Sequence, residues 1–375
     1  MKTPNVLQPL TRLMNDTTAP EVKHGRIDVH HHLFPPAYVE ENRRRGITKE
    51  AGVQIPTWVP EDSLGVMDAN GIQTAILSLS APGVYMGSRQ DAITLARECN
   101  DYGAALVQQH PGRFGYFAVL PMPFTAEACA EAIRALEVLG ADGIVLLGST
   151  DGVFLGDPRF EELMAELNRR KAVVFVHPNV HPTSRDLWLA TPDFLLEFVC
   201  DTTRAAVNLV LQGVMERHPG IKWILAHAGG FLPYIAWRAS LANALPQFRD
   251  TAPQGVLTYL RRFYFDTALS PSSITMAALQ QFVAPEHILF GSDYPYAPAP
   301  LTALQVKTLE EGDIWSEAQQ HGIQRQHALS LFPRFAQADE DFNSAPEFSK
   351  EGLLAKAARL ATDPLAEMVE HLRNR

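Results

Sequence analysis

Eight short apolar runs recur along the chain, separated by longer amphipathic stretches, and this alternation limits the folds open to it. The runs cover residues 26–32, 72–80, 114–120, 142–149, 172–177, 222–227, 262–268 and 287–292. Each is nearly continuous in Val, Ile, Leu, Phe or Ala, as strands buried on both faces of a parallel sheet must be. Helical spacing fills the gaps. One helix is expected over 61–70, closed by Gly71, and another over 88–109, closed by His110-Pro111-Gly112. A third opens at Thr125. A fourth, 158–170, follows the Asp157 cap with Pro158 in its first turn. The longest spans 193–217, and further stretches lie near 231–246, 272–283 and 314–332. Strand and helix alternating eight times predict an α/β fold, a (β/α)8 TIM-type barrel over residues 26–335. The 375 residues leave room for an N-terminal arm, 1–25, and a helical C-terminal extension, 336–375, entered through the acidic break Asp339-Glu340-Asp341. The connections 33–60 and 178–192 are expected to be substrate-side loops.

Composition narrows the function classes. The formal net charge of −10 and the lack of a basic run argue against a nucleic-acid partner. No run of about 18 apolar residues exists to span a membrane, and residues 1–25 lack the apolar segment of a secretory signal. Cys99, Cys129 and Cys200 form no paired motif and read as buried thiols of a cytoplasmic protein.

The chemistry sits at strand ends. In a (β/α)8 barrel the carboxyl ends of the strands share one face, where active sites are built. The first run ends in His30-His31-His32. Alternation along a strand puts Asp28, His30 and His32 on one side, and imidazoles at i and i+2 can reach one metal ion. His31 then points the other way and is structural. The fifth run ends in His177, the sixth in His227 and the eighth in Asp293. Four such endings converging on one rim predict a metal site. His110, His218 and His287 fall at helix ends or strand starts and receive no role. His181, in the loop after the fifth run, is a minor pocket candidate.

The motifs Ile27-Asp28-x-His30-x-His32, Phe175-Val176-His177-Pro178, Leu225-Ala226-His227-Ala228-Gly229-Gly230 and Phe290-Gly291-Ser292-Asp293-Tyr294-Pro295 carry a family resemblance. Over residues 26–335 the chain resembles the metal-dependent amidohydrolase superfamily. Within it, the chain is similar to the decarboxylase branch that includes aminocarboxymuconate semialdehyde, γ-resorcylate and 6-methylsalicylate decarboxylases. The resemblance implies His30, His32, His177 and Asp293 as metal ligands and His227 as a catalytic residue beside them. Related two-metal hydrolases carry a lysine at the end of strand four. Here that strand reads Gly143 to Ser149 without one, and Lys171 starts strand five on the opposite rim. One divalent ion is therefore expected, zinc first and manganese as the alternative.

The implied reaction is non-oxidative loss of carbon dioxide from a small salicylate-type acid. The ring carbon bearing the carboxylate must take a proton, and Asp293 is expected to give it while His227 hydrogen-bonds nearby, an assignment that the two residues can exchange. Arg238, Phe231, Tyr294, Trp188 and Tyr85 are the expected substrate-binding residues, with Phe34, Trp58 and Tyr296 in the same aromatic group. Residues Ala244 to Arg249 show no clean second arginine match, which favours an aromatic monocarboxylate over a dicarboxylate. The Pro35-Pro36-Ala37-Tyr38 and Ser78 to Gly83 stretches look closest to the 6-methylsalicylate enzymes. The alternative reading is metal-dependent hydrolysis of a lactone or amide by an activated water. A dead barrel serving as a scaffold is the other rival, and the complete ligand set argues against it. The resemblance also implies a homodimer.

Overall fold

The computed structural model describes residues 25–338 apart from Trp188. The expected arm, 1–25, and helical extension, 336–375, fall almost wholly outside those residues. All eight expected strands form: β1 (Arg26–His32), β2 (Ile72–Ser78), β3 (Phe114–Val119), β4 (Gly143–Leu147), β5 (Val173–His177), β6 (Lys222–Leu225), β7 (Tyr264–Asp266) and β8 (Ile288–Leu289). They lie in one sheet in chain order, and every neighbouring pair is parallel. The sheet curls until β8 meets β1. Val29 N–H donates to the Phe290 carbonyl at 3.0 Å, Asp293 N–H to that of His30 at 2.8 Å, and His32 N–H to that of Tyr294 at 2.7 Å. This is the (β/α)8 barrel that the alternation requires.

Side chains alternate between two apolar layers. Ile144, Leu146, Val174, Val176, Trp223 and Leu225 pack outward with helix residues such as Leu163 and Leu209. Val145, Phe175 and Ile224 pack with Phe117 in the second layer. With strand period two, His177 continues the inward set of Phe175. The register aligns His177 with Leu147 on β4 and His32 with Ser78 on β2, so strand ends arrive level at one rim.

Strand β1 breaks the alternation. Its register on β2 shifts between Asp28 and His31. The Asp28 carboxylate therefore does not join His30 and His32, as strict alternation predicts. It lies 3.0 Å from His31 Nδ1 and accepts from the backbone N–H groups of His30 and Ser292, both at 3.0 Å, and from Ser292 Oγ at 2.5 Å. His31 Nε2 is 2.8 Å from Ser63 Oγ, on the helix Pro60–Ala69. His31 is structural, as expected.

The connections are more ordered than their sequences indicate. The stretch 33–60 holds a helix, Pro36–Arg45, and a two-stranded hairpin, Lys49–Glu50 with Val53–Gln54. The prolines that suggest a loop instead open the helix, because a first-turn proline needs no N–H partner. The expected 193–217 helix divides at Gly213 (φ 75°), whose left-handed backbone separates Asp193–Leu211 from Val214–Arg217. A helix over Ala299–Glu311 stands where none was expected, again behind prolines at its start. The 314–332 stretch forms Glu317–His321 and His327–Leu331 joined by a wider turn. Cys99 and Cys129 are buried and Cys200 is half-buried; all three are free thiols.

Asp28 is fully buried and satisfies four donors across the seam between β1 and the segment after β8. Replacing it with Ala strands those donors in the core, at roughly 1–3 kcal/mol for each group left unpaired. Asp28→Ala should lower the urea unfolding midpoint strongly, and Ser292→Ala should lower it by a fraction of that amount. An unchanged midpoint for Asp28→Ala would contradict this account of the seam.

Candidate metal centre

Three imidazoles and one carboxylate meet at the rim. One ligand atom from each of His30, His32, His177 and Asp293 lies within 4.8 Å of the others, and all four residues are buried. His30 Nε2 and His32 Nε2 are 3.1 Å apart, and Asp293 Oδ1 lies 3.2 Å from the first and 2.9 Å from the second. Bonds of 2.0–2.1 Å to a metal between two nitrogens put those nitrogens roughly 3 Å apart, so the spacing suits a single ion.

The far side of each ring is held. His30 Nδ1 is 2.7 Å from Asp266 Oδ2, His32 Nδ1 is 3.1 Å from the Ser78 carbonyl, and His177 Nδ1 is 2.8 Å from the Pro178 carbonyl. A carbonyl only accepts, so Nδ1 carries the proton in His32 and His177 and the Nε2 lone pair faces the centre. Such outer partners fix ring orientation and tautomer in metal sites. The donor set therefore fits a divalent cation of the zinc or manganese type.

The protein's own charges set the protonation of these groups. Burial disfavours a charged His30, but Asp266 and Asp293 outweigh it and raise its pKa to about 10. Burial alone would lift Asp293, yet the charge on His30 and hydrogen bonds from His30 and His32 hold it well below the usual carboxylate range. Burial keeps His32, His177 and His227 below the ordinary imidazole value. The pocket thus favours an ionised Asp293 and neutral His32, His177 and His227, while His30 holds a proton between Asp266 and Asp293 that a metal ion must displace to bind its Nε2.

His227 stands next to the cluster, its ring centroid 4.9 Å from that of His30 and 6.2 Å from that of His177. It is held on a left-handed turn: His227 and Ala228 have φ of 54° and 56°. Non-glycine residues reach that region only when their surroundings impose it. Gly230, at φ 64°, completes the turn, and a Cβ there would lie 2.3 Å from the Val199 carbonyl. His227 Nδ1 is 3.2 Å from the Ala268 carbonyl, and its Nε2 has no hydrogen-bond partner among the described residues. Asp293 also has a positive φ, 64°.

Two acidic residues complete the centre that the sequence reading did not single out. Asp266, at the end of β7, accepts from His227 N–H at 2.8 Å and Ala268 N–H at 3.0 Å through Oδ1, while Oδ2 meets His30. The signal was present, since β7 ends in an acid just as the neighbouring strands end in His or Asp. Glu50, from the hairpin in the 33–60 connection, is buried and accepts from Ser80 Oγ at 2.8 Å and from the Tyr296 hydroxyl. Burial, with Asp293 adding, pushes its pKa up to about 8 against the pull of those two hydrogen bonds.

The expected substrate residues disperse. Tyr294 is buried with its ring 5.1 Å from His31, on the structural side of β1. Tyr296 lies beside the ligands, its ring 5.4 Å from that of His32 and 5.6 Å from that of Phe34. Tyr85 is half-buried against Phe124. Phe231 is partly exposed after the His227 turn. Arg238 is exposed on the helix Leu232–Ser240, and its guanidinium makes no hydrogen bond among the described residues, so nothing joins it to the cluster. Trp188 lies outside the described residues. His181 stacks on Phe154 at 4.9 Å and caps its own loop through Thr183.

Comparison with known proteins agrees with the geometry. The family profile described as Amidohydrolase matches residues 27–334. A decarboxylase, yanB, of Aspergillus niger is 42% identical over 324 residues, covering 83% of this chain and 88% of that protein. A 6-methylsalicylic acid decarboxylase of Penicillium expansum is 38% identical over 323 residues, covering 83% and 97%. Among solved structures, a dihydroxybenzoic acid decarboxylase of Polaromonas with bound manganese and the inhibitor 2-nitroresorcinol superposes with a TM-score of 0.72 at 25% identity, covering 83% of this chain and 97% of that one.

Asp266 tests the outer ring of the centre. In Asp266→Asn, an amide N–H faces His30 Nδ1–H where a carboxylate stood, so the ring loses its orienting partner. Zinc affinity, read by competition with a chromogenic chelator, should fall by about 10–100-fold. Unchanged affinity would show that His30 is positioned by other means.

Proposed function

We propose a function from one premise: this chain belongs to the amidohydrolase family. It is a carboxy-lyase that removes the carboxylate of a small aromatic acid as carbon dioxide, without a redox cofactor. The observation that carries this reading is a buried cluster of three imidazoles and a carboxylate in a chain 37–42% identical to decarboxylases over most of its length. A salicylate-type acid, its hydroxyl ortho to its carboxylate, is the proposed substrate.

His30, His32, His177 and Asp293 are the proposed ligands of one divalent ion, zinc first and manganese as the rival. When bound, such an ion supplies Lewis acidity toward the substrate's oxygens. The protein's residues handle the proton. Asp293 Oδ1 faces His30 and His32, while Oδ2 has no hydrogen-bond partner among the described residues. We assign to Oδ2 the phenolic proton taken up on binding and its return to the ring carbon that bears the carboxylate. The bond to the carboxylate then breaks. Its electron pair restores the aromatic ring, carbon dioxide leaves, and the phenolate regains a proton from solvent. Neutral His227, its Nδ1–H tied to the Ala268 carbonyl, offers the Nε2 lone pair as acceptor to the phenolic O–H of the entering substrate, orienting that group before its proton passes to Asp293. Phe34, Tyr296 and the barrel wall exclude water from the protonated ring.

Two further features belong to the proposal. Tyr234 and Trp237, 90% and 74% exposed, share one face of the helix Leu232–Ser240 with Arg238 and Leu241, which supports a homodimer formed there. No helix of the described residues is long and apolar enough to cross a membrane, and three free thiols support a cytoplasmic location.

Purified protein loaded with zinc or manganese should release carbon dioxide from a panel of salicylates and leave a matched lactone panel intact. Ring opening without carbon dioxide would replace this reading with hydrolysis. His227→Asn should keep its metal content and lose roughly 10²–10³-fold in kcat. Full activity in that variant would remove His227 from the mechanism.

A further inference from the structure

Glu50 reaches the metal centre from outside the barrel. It sits on the short strand Lys49–Glu50 of the hairpin, and Phe194 N–H donates to the Ala51 carbonyl at 3.2 Å, anchoring that hairpin to the helix Asp193–Leu211. Its two oxygens divide their work. Oε1 takes the Ser80 hydroxyl at 2.8 Å and Oε2 takes the Tyr296 hydroxyl. Ser80 follows β2 and Tyr296 follows β8, so one carboxylate bridges the rim on either side of β1.

The Ser80 hydroxyl has two acceptors in reach. One is Glu50. The other is His177 Nε2, 3.4 Å from Ser80 Oγ. Because His177 Nδ1 is committed to the Pro178 carbonyl, Nε2 is the nitrogen with the lone pair. A hydroxyl proton turned toward that lone pair would compete with a metal ion for it. An ionised carboxylate only accepts, so it draws the Ser80 proton the other way, and a cation bound among the neighbouring ligands favours that ionised form.

We propose that Glu50 is a positioning residue for the metal centre: by holding the hydroxyl proton of Ser80, it keeps the His177 Nε2 lone pair free for the ion. The proposal rests on the reading of His177 as a metal ligand. Glu50 touches neither ion nor substrate; it acts through Ser80.

A mutant cycle read by zinc affinity tests this, using the full chain stripped by a chelator and titrated with Zn²⁺ against a chromogenic competitor. Glu50→Met keeps the bulk but removes the acceptor, and should weaken binding by about tenfold. Ser80→Ala alone should leave affinity nearly unchanged. In the double variant, with no hydroxyl left to turn on His177, affinity should return close to wild type, a non-additivity that a packing role for Glu50 does not produce. Should Glu50→Met not fold, Glu50→Ala with and without Ser80→Ala gives the same comparison. Unchanged affinity in the single Glu50 variant, or no recovery on adding Ser80→Ala, overturns the proposal. Metal titration is independent of substrate. Rescue in a protein that releases no carbon dioxide leaves this proposal standing and removes the decarboxylase reading; an active enzyme without rescue does the reverse.

Discussion

The Asp266 carboxylate joins three parts of the rim. One oxygen orients His30 on β1, and the other pins the backbone of His227 after β6 and of Ala268 after β7. It is fully buried, so each of these contacts is made in a low-dielectric setting where an unpaired charge costs several kcal/mol. That penalty makes the arrangement self-consistent. Asp266 needs His30 and the two N–H groups, and they in turn hold the ligand ring and the His227 turn in place. The candidate metal centre is thus held through His30 and through the His227 turn.

The barrel supplies the rest through register. Parallel strands bring β1, β5 and the segment after β8 level at their carboxyl ends, and alternation sends His177 inward with Phe175. Residues just past the strands carry the less regular geometry. His227 and Asp293 both adopt left-handed backbone conformations, the kind of local strain that a rigid surround can maintain at a functional position. The hairpin in the first connection then adds Glu50, which approaches the cluster through Ser80 and Tyr296, so Asp266 and Glu50 are two buried acids that reach it from different segments.

Much of this is legible in the sequence, for a physical reason. Strands buried on both faces leave continuous apolar runs, and a polar residue ending such a run must have a partner or a task; His30, His32, His177, His227 and Asp293 all stand out by that test. Asp266 meets the same test at the end of β7, but one acid among many ended runs carries no label of its own. Glu50 was out of reach, because it comes from a proline-flanked connection whose hairpin is specified by tertiary packing rather than by a strong local pattern. The exchange of Tyr294 for Tyr296 beside the ligands has the same origin: sequence places both in the loop after β8, and only the backbone path decides that one meets His31 and the other His32. The irregular register of β1 sent Asp28 to His31 in a way that strict alternation does not foresee.

The proposed centre is a single divalent ion held by four side chains from β1, β5 and the segment after β8. Anomalous diffraction from crystals of the zinc-loaded protein tests it most directly. The expected result is one peak per chain, within bonding distance of His30, His32, His177 and Asp293. Two peaks in the pocket, or one peak whose ligands omit Asp293, would contradict the account.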